Sequence, residues 1–250
     1  MSVGVSIDAS DAVCWITISR PEAANALRIE DLTAIADTLR EIDDATRAVV
    51  FTGAGDRHFS AGMHLDTFRG CTAVTARRKI SIVADTLRAV RLCPVPTVAL
   101  LNGVCLGAAF ELALSCDIRI AHWGVKVGLP EVKLGIPSVA DAALLPRFIG
   151  LSMAREMILT GDLYSLSELG YGLANRLVSQ GQLRSELDLM LTALMRPSRQ
   201  VIRAQKFLFE RWLDSGISAS VASSVDCFGD LFADRSVLDS IETYAKKIVG

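Results

Sequence analysis

Two glutamates, Glu111 and Glu131, lie 20 residues apart in the most apolar long run of the chain, residues 96–137. Glu111 interrupts a run of alanine, phenylalanine and leucine that is otherwise typical of a protein core. A carboxylate in such surroundings costs free energy unless it is hydrogen-bonded or used in chemistry. A pair of carboxyl groups could take up one proton and deliver another, which is general acid–base catalysis.

Each glutamate has a structural alternative when it is considered alone. Glu111 could be a helix residue paired with a buried arginine, and Glu131 could cap the turn that follows Pro130. The stretch around them also supplies backbone donors, because a helix is predicted from Gly107 to Ser115 with small residues in its first turn. The free amides at such a helix start can hold a negatively charged oxygen. The two features together favour a catalytic site.

Composition excludes several other classes of protein. The 250 residues carry a net charge of −2, with no basic stripe of the kind that nucleic-acid-binding proteins show. We expect a cytoplasmic protein, since the first residues lack a signal-peptide pattern and no uncharged apolar run is long enough to span a bilayer. The six cysteines show no CxxC spacing, and the histidines have no metal-ligand spacing, so no metal site is predicted.

The sequence also excludes a dinucleotide-binding motif and a hydrolase motif. The run from Gly53 and Gly55 would need a third glycine at position 58 to be a dinucleotide fingerprint, and that residue is His58. Ser60 and Ser115 lack the GxSxG context of a hydrolase nucleophile.

The pattern of apolar residues predicts an α/β fold. Strands are predicted at 3–7, 13–18, 48–52, 97–101, 118–121 and 125–129, and helices at 30–43, 75–92 and 107–115, with residues 53–65 as a loop rich in small residues. Beyond Pro137 the chain turns to helices, at 140–149, 152–159, 167–171, 183–195, 198–213, 218–232 and 237–247. We therefore predict an α/β core at 1–195 and a helical region at 196–250.

Three segments in this order resemble the crotonase superfamily, and within it the enoyl-CoA hydratases. They are FSAGMHL at 59–65, PTVALLNGVCLGAAFELALSCDIRIA at 96–121 and VGLPEVKLGI at 127–136. The resemblance implies a ClpP/crotonase-type spiral of strand–strand–helix units with a C-terminal helical trimerisation region. It also implies a homotrimer or a dimer of trimers.

The activity that the resemblance implies is hydration of a 2-enoyl-CoA thioester to a 3-hydroxyacyl-CoA. Glu111 and Glu131 match the two catalytic glutamates, of which the first is usually credited with activating water and the second with protonating the α-carbon. The amides of Met63 and Ala108 match the oxyanion hole. The substrate-binding positions implied by the same matching are Ala26, Ala61, Gly62, His64, Leu65, Gly107 and Asp141. No metal or other cofactor is implied, because coenzyme A arrives as part of the substrate.

Four positions depart from the family pattern. Gly107-Ala108-Ala109 stands where many hydratases have three glycines, His64 stands where an aspartate is common, and Ser138 to Asp141 replace a glycine-rich turn. Glu22 stands where a basic residue often follows the early Arg-Pro. The phosphate contacts are then expected from other basic residues, with Arg20, Arg28, Lys206 and Lys246 as candidates.

Two other functions remain open at this point. An enoyl-CoA isomerase could use Glu131 alone to move a proton between carbons, with Glu111 as a bystander. A non-catalytic acyl-CoA-binding protein would account for the substitutions at 64, 108 and 109.

Overall fold

The computed structural model describes residues 3–170 and 172–249, with side chains to residue 246. Within these ranges the strands are β1 (Val5–Ser10), β2 (Val13–Ile18), β3 (Ala48–Gly53), β4 (His58–Ser60), β5 (Thr97–Leu101), β6 (Val104–Leu106), β7 (Ile118–His122), β8 (Lys126–Gly128), β9 (Tyr164–Ser165) and β10 (Arg176–Val178). The α-helices are α1 (Ile29–Arg40), α2 (Ala73–Arg91), α3 (Ala108–Ser115), α4 (Leu145–Ile149), α5 (Leu151–Thr160), α6 (Leu183–Leu194), α7 (Arg199–Asp214), α8 (Ile217–Leu231) and α9 (Arg235–Val249). The chain divides into two compact units, residues 1–196 and 197–250.

The first unit is built on a six-stranded sheet of order β1-β2-β3-β5-β7-β10. The pair β1–β2 is an antiparallel hairpin, and the later strands all pair in parallel. Strand β3 shows why the central strands are apolar throughout. Its Val49 and Phe51 belong to the main core, whereas Ala48 and Val50 belong to a second cluster that includes leucines of α6. Both faces of the sheet are therefore covered, as in other parallel sheets.

A smaller sheet of order β4-β6-β8-β9 brings the site segments together. Strand β4 leads into residues 61–64, β6 leads into α3, and β8 leads into a 3-10 helix, Pro130–Leu134. The central pairs β4–β6 and β6–β8 are parallel. Because carboxyl ends of parallel strands meet at one edge of a sheet, the three segments emerge side by side.

The second unit consists of helices α7, α8 and α9. Helix α7 packs against α8. Large apolar side chains stay exposed on this unit, among them Phe207, Trp212, Phe228 and Tyr244. None of the helices in the described ranges has the combination of length and apolar composition that crossing a membrane requires.

Several sequence predictions of local structure are wrong. Residues 53–65 are not all loop, since β4 lies within them. The predicted helix at 140–149 is a 3-10 helix, Ala140–Leu144, followed by α4. The predicted helix at 167–171 is absent over 167–170, where the chain forms a turn, and Tyr171 lies outside the described residues.

Candidate active site

Glu111 lies in the first turn of α3 and is only 3% exposed. Its Oε2 accepts a hydrogen bond of 3.2 Å from the amide of Ala142, and the amide of Asp141 also donates to the carboxyl group. These donors come from the 3-10 helix at Ala140–Leu144, which packs against α3. The buried carboxyl group is therefore held in one orientation by backbone groups.

The pKa of Glu111 is raised from an ordinary value of 4.5 to about 8, mainly by burial and, to a smaller extent, by the nearby carboxyl groups of Glu131 and Asp141. The amide donors act in the opposite direction because they favour the charged form. The burial effect prevails, so Glu111 keeps its proton at neutral pH in the free protein. A neutral carboxylic acid in a cavity can donate a proton.

This raised pKa predicts an unusual pH dependence of stability. Between about pH 4.5 and 8 the native state holds a proton on Glu111 that the unfolded state has lost, so the free energy of unfolding falls as the pH rises through that range. The variant Glu111→Gln lacks this contribution. We expect its stability relative to the wild type to increase by several kcal/mol on going from low to high pH in urea titrations at a series of pH values. A stability difference that stays constant across the range would contradict the raised pKa.

Glu131 lies in the 3-10 helix Pro130–Leu134, which follows β8. Its Oε2 accepts a hydrogen bond of 2.8 Å from the hydroxyl of Ser138. Its Oε1 lies beside Gly107, where an added Cβ would come within 2.8 Å of that oxygen. Gly107 also has a φ of +55°, which favours glycine. A side chain at position 107 would therefore displace the carboxyl group of Glu131.

Two backbone amides lie close to these glutamates. Ala108 is the first residue of α3, so its N–H has no partner within the helix. Met63 forms a parallel bridge with Leu27, in which the amide of Leu27 donates to Gly62 and the amide of His64 donates to Leu27. This pattern turns the N–H of Met63 to the opposite side from Leu27.

Gly62 brings the two amides together. It has a φ of +88°, and a Cβ at this position would come within 2.7 Å of the carbonyl oxygen of Leu106 and 3.3 Å of the Ala108 nitrogen. The hydroxyl of Ser60 accepts a hydrogen bond of 3.1 Å from the Gly62 amide and fixes this turn. The backbone at 62 thus lies against the start of α3, at a distance that only glycine permits.

The two glutamates and both amide-bearing residues line one cavity of about 350 Å³. Ala61, His64, Leu65 and Gly107 also line it. Apolar residues that the sequence does not identify as part of the site complete the wall: Phe68, Ile80, Val83, Leu134, Ile136, Pro137 and Val139. A second cavity of about 440 Å³ shares Ala61, Met63, His64 and Leu65 and adds Ala26 and Lys133.

Asp141 is not brought to the main cavity. Its carboxylate pairs with Arg91 and accepts a hydrogen bond of 2.6 Å from the hydroxyl of Ser115. The residue therefore anchors the segment whose amides hold Glu111. Arg20 is also unsuited to its suggested phosphate contact, because its guanidinium is buried against Asp31 and the carbonyl of Ala26. Arg28 borders a surface cleft of about 350 Å³ together with His64 and Lys79.

Within the part of the chain that the structure describes, no three His, Cys, Asp or Glu side chains are grouped so that they could bind a metal ion. His64, which stands where an aspartate is common in the family, lines both cavities. Its Nδ1 accepts a hydrogen bond of 3.3 Å from the amide of Asp66.

Two relatives that are named hydratases align with most of this chain. The chain is 28% identical to a crotonyl-CoA hydratase of Syntrophomonas wolfei over 247 residues. The aligned region covers 97% of this chain and 95% of that protein. It is 35% identical over 187 residues to an (E)-benzylidenesuccinyl-CoA hydratase of Thauera aromatica, over 72% of this chain and 71% of that one.

Solved structures agree with the sequence relatives. The crystal structure of an enoyl-CoA hydratase from Bacillus anthracis superposes with a TM-score of 0.90 at 28% identity, over 98% of this chain and 96% of that one. The α/β crotonase fold expected from the sequence is thereby confirmed. The sequence model of the enoyl-CoA hydratase/isomerase family matches residues 8–249. This chain therefore belongs to the enoyl-CoA hydratase/isomerase family.

Proposed function

We propose that this protein adds water across the 2,3 double bond of an enoyl-CoA thioester and forms a 3-hydroxyacyl-CoA. The observation that carries the proposal is the meeting of two carboxyl groups, Glu111 and Glu131, with the amides of Met63 and Ala108 around one apolar cavity. The names of the hydratase relatives from Syntrophomonas and Thauera support hydration as the reaction.

The amides of Met63 and Ala108 are proposed to bind the thioester oxygen. Attack of water at the β-carbon moves the electron pair of the double bond towards that oxygen, which becomes negatively charged. Two fixed N–H donors stabilise this charge without having to reorganise during the reaction. Removing one such donor typically costs about 3 kcal/mol of transition-state stabilisation.

Glu111 and Glu131 are proposed to move the protons. Hydration takes one proton from water and places one on the α-carbon, so it needs one base and one acid. The pair fits this requirement, because Glu111 keeps its proton at neutral pH and the adjacent Glu131 accepts a hydroxyl hydrogen bond. The protein's own groups are sufficient for this reaction, and we propose no metal or other cofactor besides the coenzyme A of the substrate.

The second cavity is proposed to take the part of coenzyme A next to the thioester. It shares Ala61, Met63, His64 and Leu65 with the main cavity, so a ligand can extend from one to the other. The apolar walls of the main cavity then surround the acyl group. The two relatives act on acyl groups as different as their names crotonyl and benzylidenesuccinyl indicate, so the acyl preference must be measured.

The helices of the second unit are proposed to assemble copies of the chain into a homotrimer or a dimer of trimers. The exposed aromatic side chains Phe207, Trp212, Phe228 and Tyr244 support an association surface there. Sedimentation of the purified chain should give a mass of three or six copies, and a monomer would contradict this proposal.

A panel of enoyl-CoA thioesters tests the function. We expect loss of the conjugated double bond and formation of the 3-hydroxy product with at least one short linear or aryl-substituted substrate. A product with a migrated double bond and no hydroxyl would indicate an isomerase. Tight binding without turnover across the whole panel would indicate an acyl-CoA-binding protein.

A further inference from the structure

The segment 138–142 separates the main cavity from a neighbouring cavity. On one side it contacts both glutamates of the main cavity, because the hydroxyl of Ser138 donates to Glu131 and the amide of Ala142 donates to Glu111. On its other side the same segment lines the neighbouring cavity, which has a volume of about 480 Å³. One layer of chain therefore stands between the two spaces.

The neighbouring cavity, which we call the alanine cavity, is almost entirely apolar. Helices α4 and α5 contribute the walls that do not come from residues 138–143. Arg155 is the one charged residue among the described residues of its lining. The apolar lining includes Ala140, Ala142, Ala143, Leu151, Ala154 and Ile158. Such walls suit a hydrocarbon chain, because burial of apolar surface is favourable and burial of an unpaired charge is costly.

Val139 lies where the two cavities meet. Among the residues that the structure describes, it is the one that lines both the main cavity and the alanine cavity. It does not line the second cavity, which is proposed to take the coenzyme A next to the thioester. Val139 therefore belongs to the acyl end of the main cavity. At about 350 Å³ that cavity is at the small end of the range for ligand pockets.

Polar contacts hold the other residues of the segment. Ser138 and the amide of Ala142 bond to the two glutamates, and Asp141 is paired with Arg91. Val139 has no polar side-chain atom and is 38% exposed, so its side chain contributes shape alone and its truncation leaves the protein core intact. A change at this position can therefore alter the length of the main cavity while both carboxyl groups stay in place.

We propose that Val139 closes the acyl end of the main cavity and is the residue that restricts this protein to short linear acyl groups. The alanine cavity is the space into which a longer alkyl chain extends once that side chain is made smaller. This inference rests on the proposed hydratase function and names the size class of its substrates.

The ratio of kcat/KM for 2-decenoyl-CoA to that for crotonyl-CoA tests the role of Val139. Val139→Ala is expected to raise this ratio by about tenfold or more, because room for one methylene in an apolar pocket has an effect of that size. Val139→Thr keeps the shape of the side chain and should retain the wild-type ratio. Val74→Ala, the same truncation at an exposed position in the first turn of α2, should retain it too. A wild type that hydrates both substrates equally well, or an unchanged ratio in Val139→Ala, would overturn the inference.

A second substitution shows whether the longer chain occupies the alanine cavity. Ala143→Phe places a large side chain in that cavity from an exposed position in the 3-10 helix Ala140–Leu144. Combined with Val139→Ala, it is expected to return the ratio to the wild-type value. Alone, it should leave the ratio unchanged, since Val139 already closes the way. A lower ratio in Ala143→Phe alone, or a raised ratio that persists in the double variant, would overturn the inference.

Binding of saturated thioesters separates this inference from the reaction. Butyryl-CoA and decanoyl-CoA have no double bond to hydrate, and isothermal titration calorimetry measures their affinities. We expect Val139→Ala to bind decanoyl-CoA about tenfold more tightly than the wild type does, with butyryl-CoA nearly unchanged. Equal affinities of the two proteins for decanoyl-CoA would overturn the inference even if the protein is a hydratase. A gain in decanoyl-CoA binding without hydration of any enoyl thioester would support the inference and refute the proposed function.

Discussion

Replacing Glu131 with glutamine should lower kcat by about 10²- to 10⁴-fold with little change in KM, because the amide cannot accept or return a proton during the reaction. The substitution keeps the shape of the side chain, and its carbonyl oxygen can still accept the Ser138 hydrogen bond. Steady-state kinetics on the best thioester of the panel measures the effect. Glu41→Gln, at an exposed position beyond the end of α1, is the matched control and should behave as wild type.

Glu111→Gln should lose activity to a similar extent, and this result separates the two enzymatic alternatives. A hydratase needs both carboxyl groups, whereas an isomerase that uses Glu131 alone would keep most of its rate. The stability of the same variant, measured relative to the wild type, is expected to increase as the pH rises, because Glu111 is a buried acid with a raised pKa. Loss of activity together with that gain in relative stability would show that the residue is retained for chemistry.

Gly62→Ala is expected to lower kcat/KM by about 10²- to 10³-fold, the effect of losing one oxyanion-hole donor. The new Cβ would meet the carbonyl oxygen of Leu106 at 2.7 Å, so the backbone of residues 62 and 63 must move away from Ala108. Positive φ also adds strain, and Gly55→Ala controls for it. Gly55 has a φ of +80°, and nothing lies within 4 Å of its added Cβ.

The comparison of these two glycine variants isolates the close approach. Both should lose some stability in thermal unfolding because alanine is strained at positive φ. Only Gly62→Ala should lose activity beyond what its unfolded fraction explains. Equal kinetic effects of the two substitutions would contradict a role for the Met63 and Ala108 amides.

The larger elements of the fold could be predicted from the sequence because their patterns are long. The hairpin of β1 and β2, the amphipathic helix α1 and the buried strands β3, β5 and β7 all show clear apolar periodicity. The smaller sheet was largely missed, since β4, β6 and β9 have only two or three residues each. Such short strands carry no periodic signal and form only because their neighbours are already in place.

The false helix at 167–171 has a specific cause. The side chain of Glu168 accepts bonds from both the amide and the hydroxyl of Ser165, as in a helix capping box. The chain then reaches Gly170, which has a φ of +77°. Too few residues remain to form a stable helix, so the same contacts close a turn instead.

The candidate site likewise contains residues that could be predicted from the sequence and residues that could not. Glu111 and Glu131 could be found from the sequence because a carboxylate in an apolar run requires a reason. The contacts of Ser138 and Asp141 could not, because they depend on how the turn around Ala140 is folded against α3. Ile80 and Val83 illustrate a further limit. Their helical spacing places them on one face of α2, but no sequence pattern shows that this face borders a cavity.

The central claim is that this site adds water to an enoyl thioester, and isotope incorporation tests it most directly. The protein is incubated with a crotonyl thioester in water labelled with heavy oxygen, and the product is analysed by mass spectrometry. Our account predicts the label in the 3-hydroxyl group, with formation lost in both Glu111→Gln and Glu131→Gln. A product that carries no labelled hydroxyl, or formation that survives both substitutions, would contradict it.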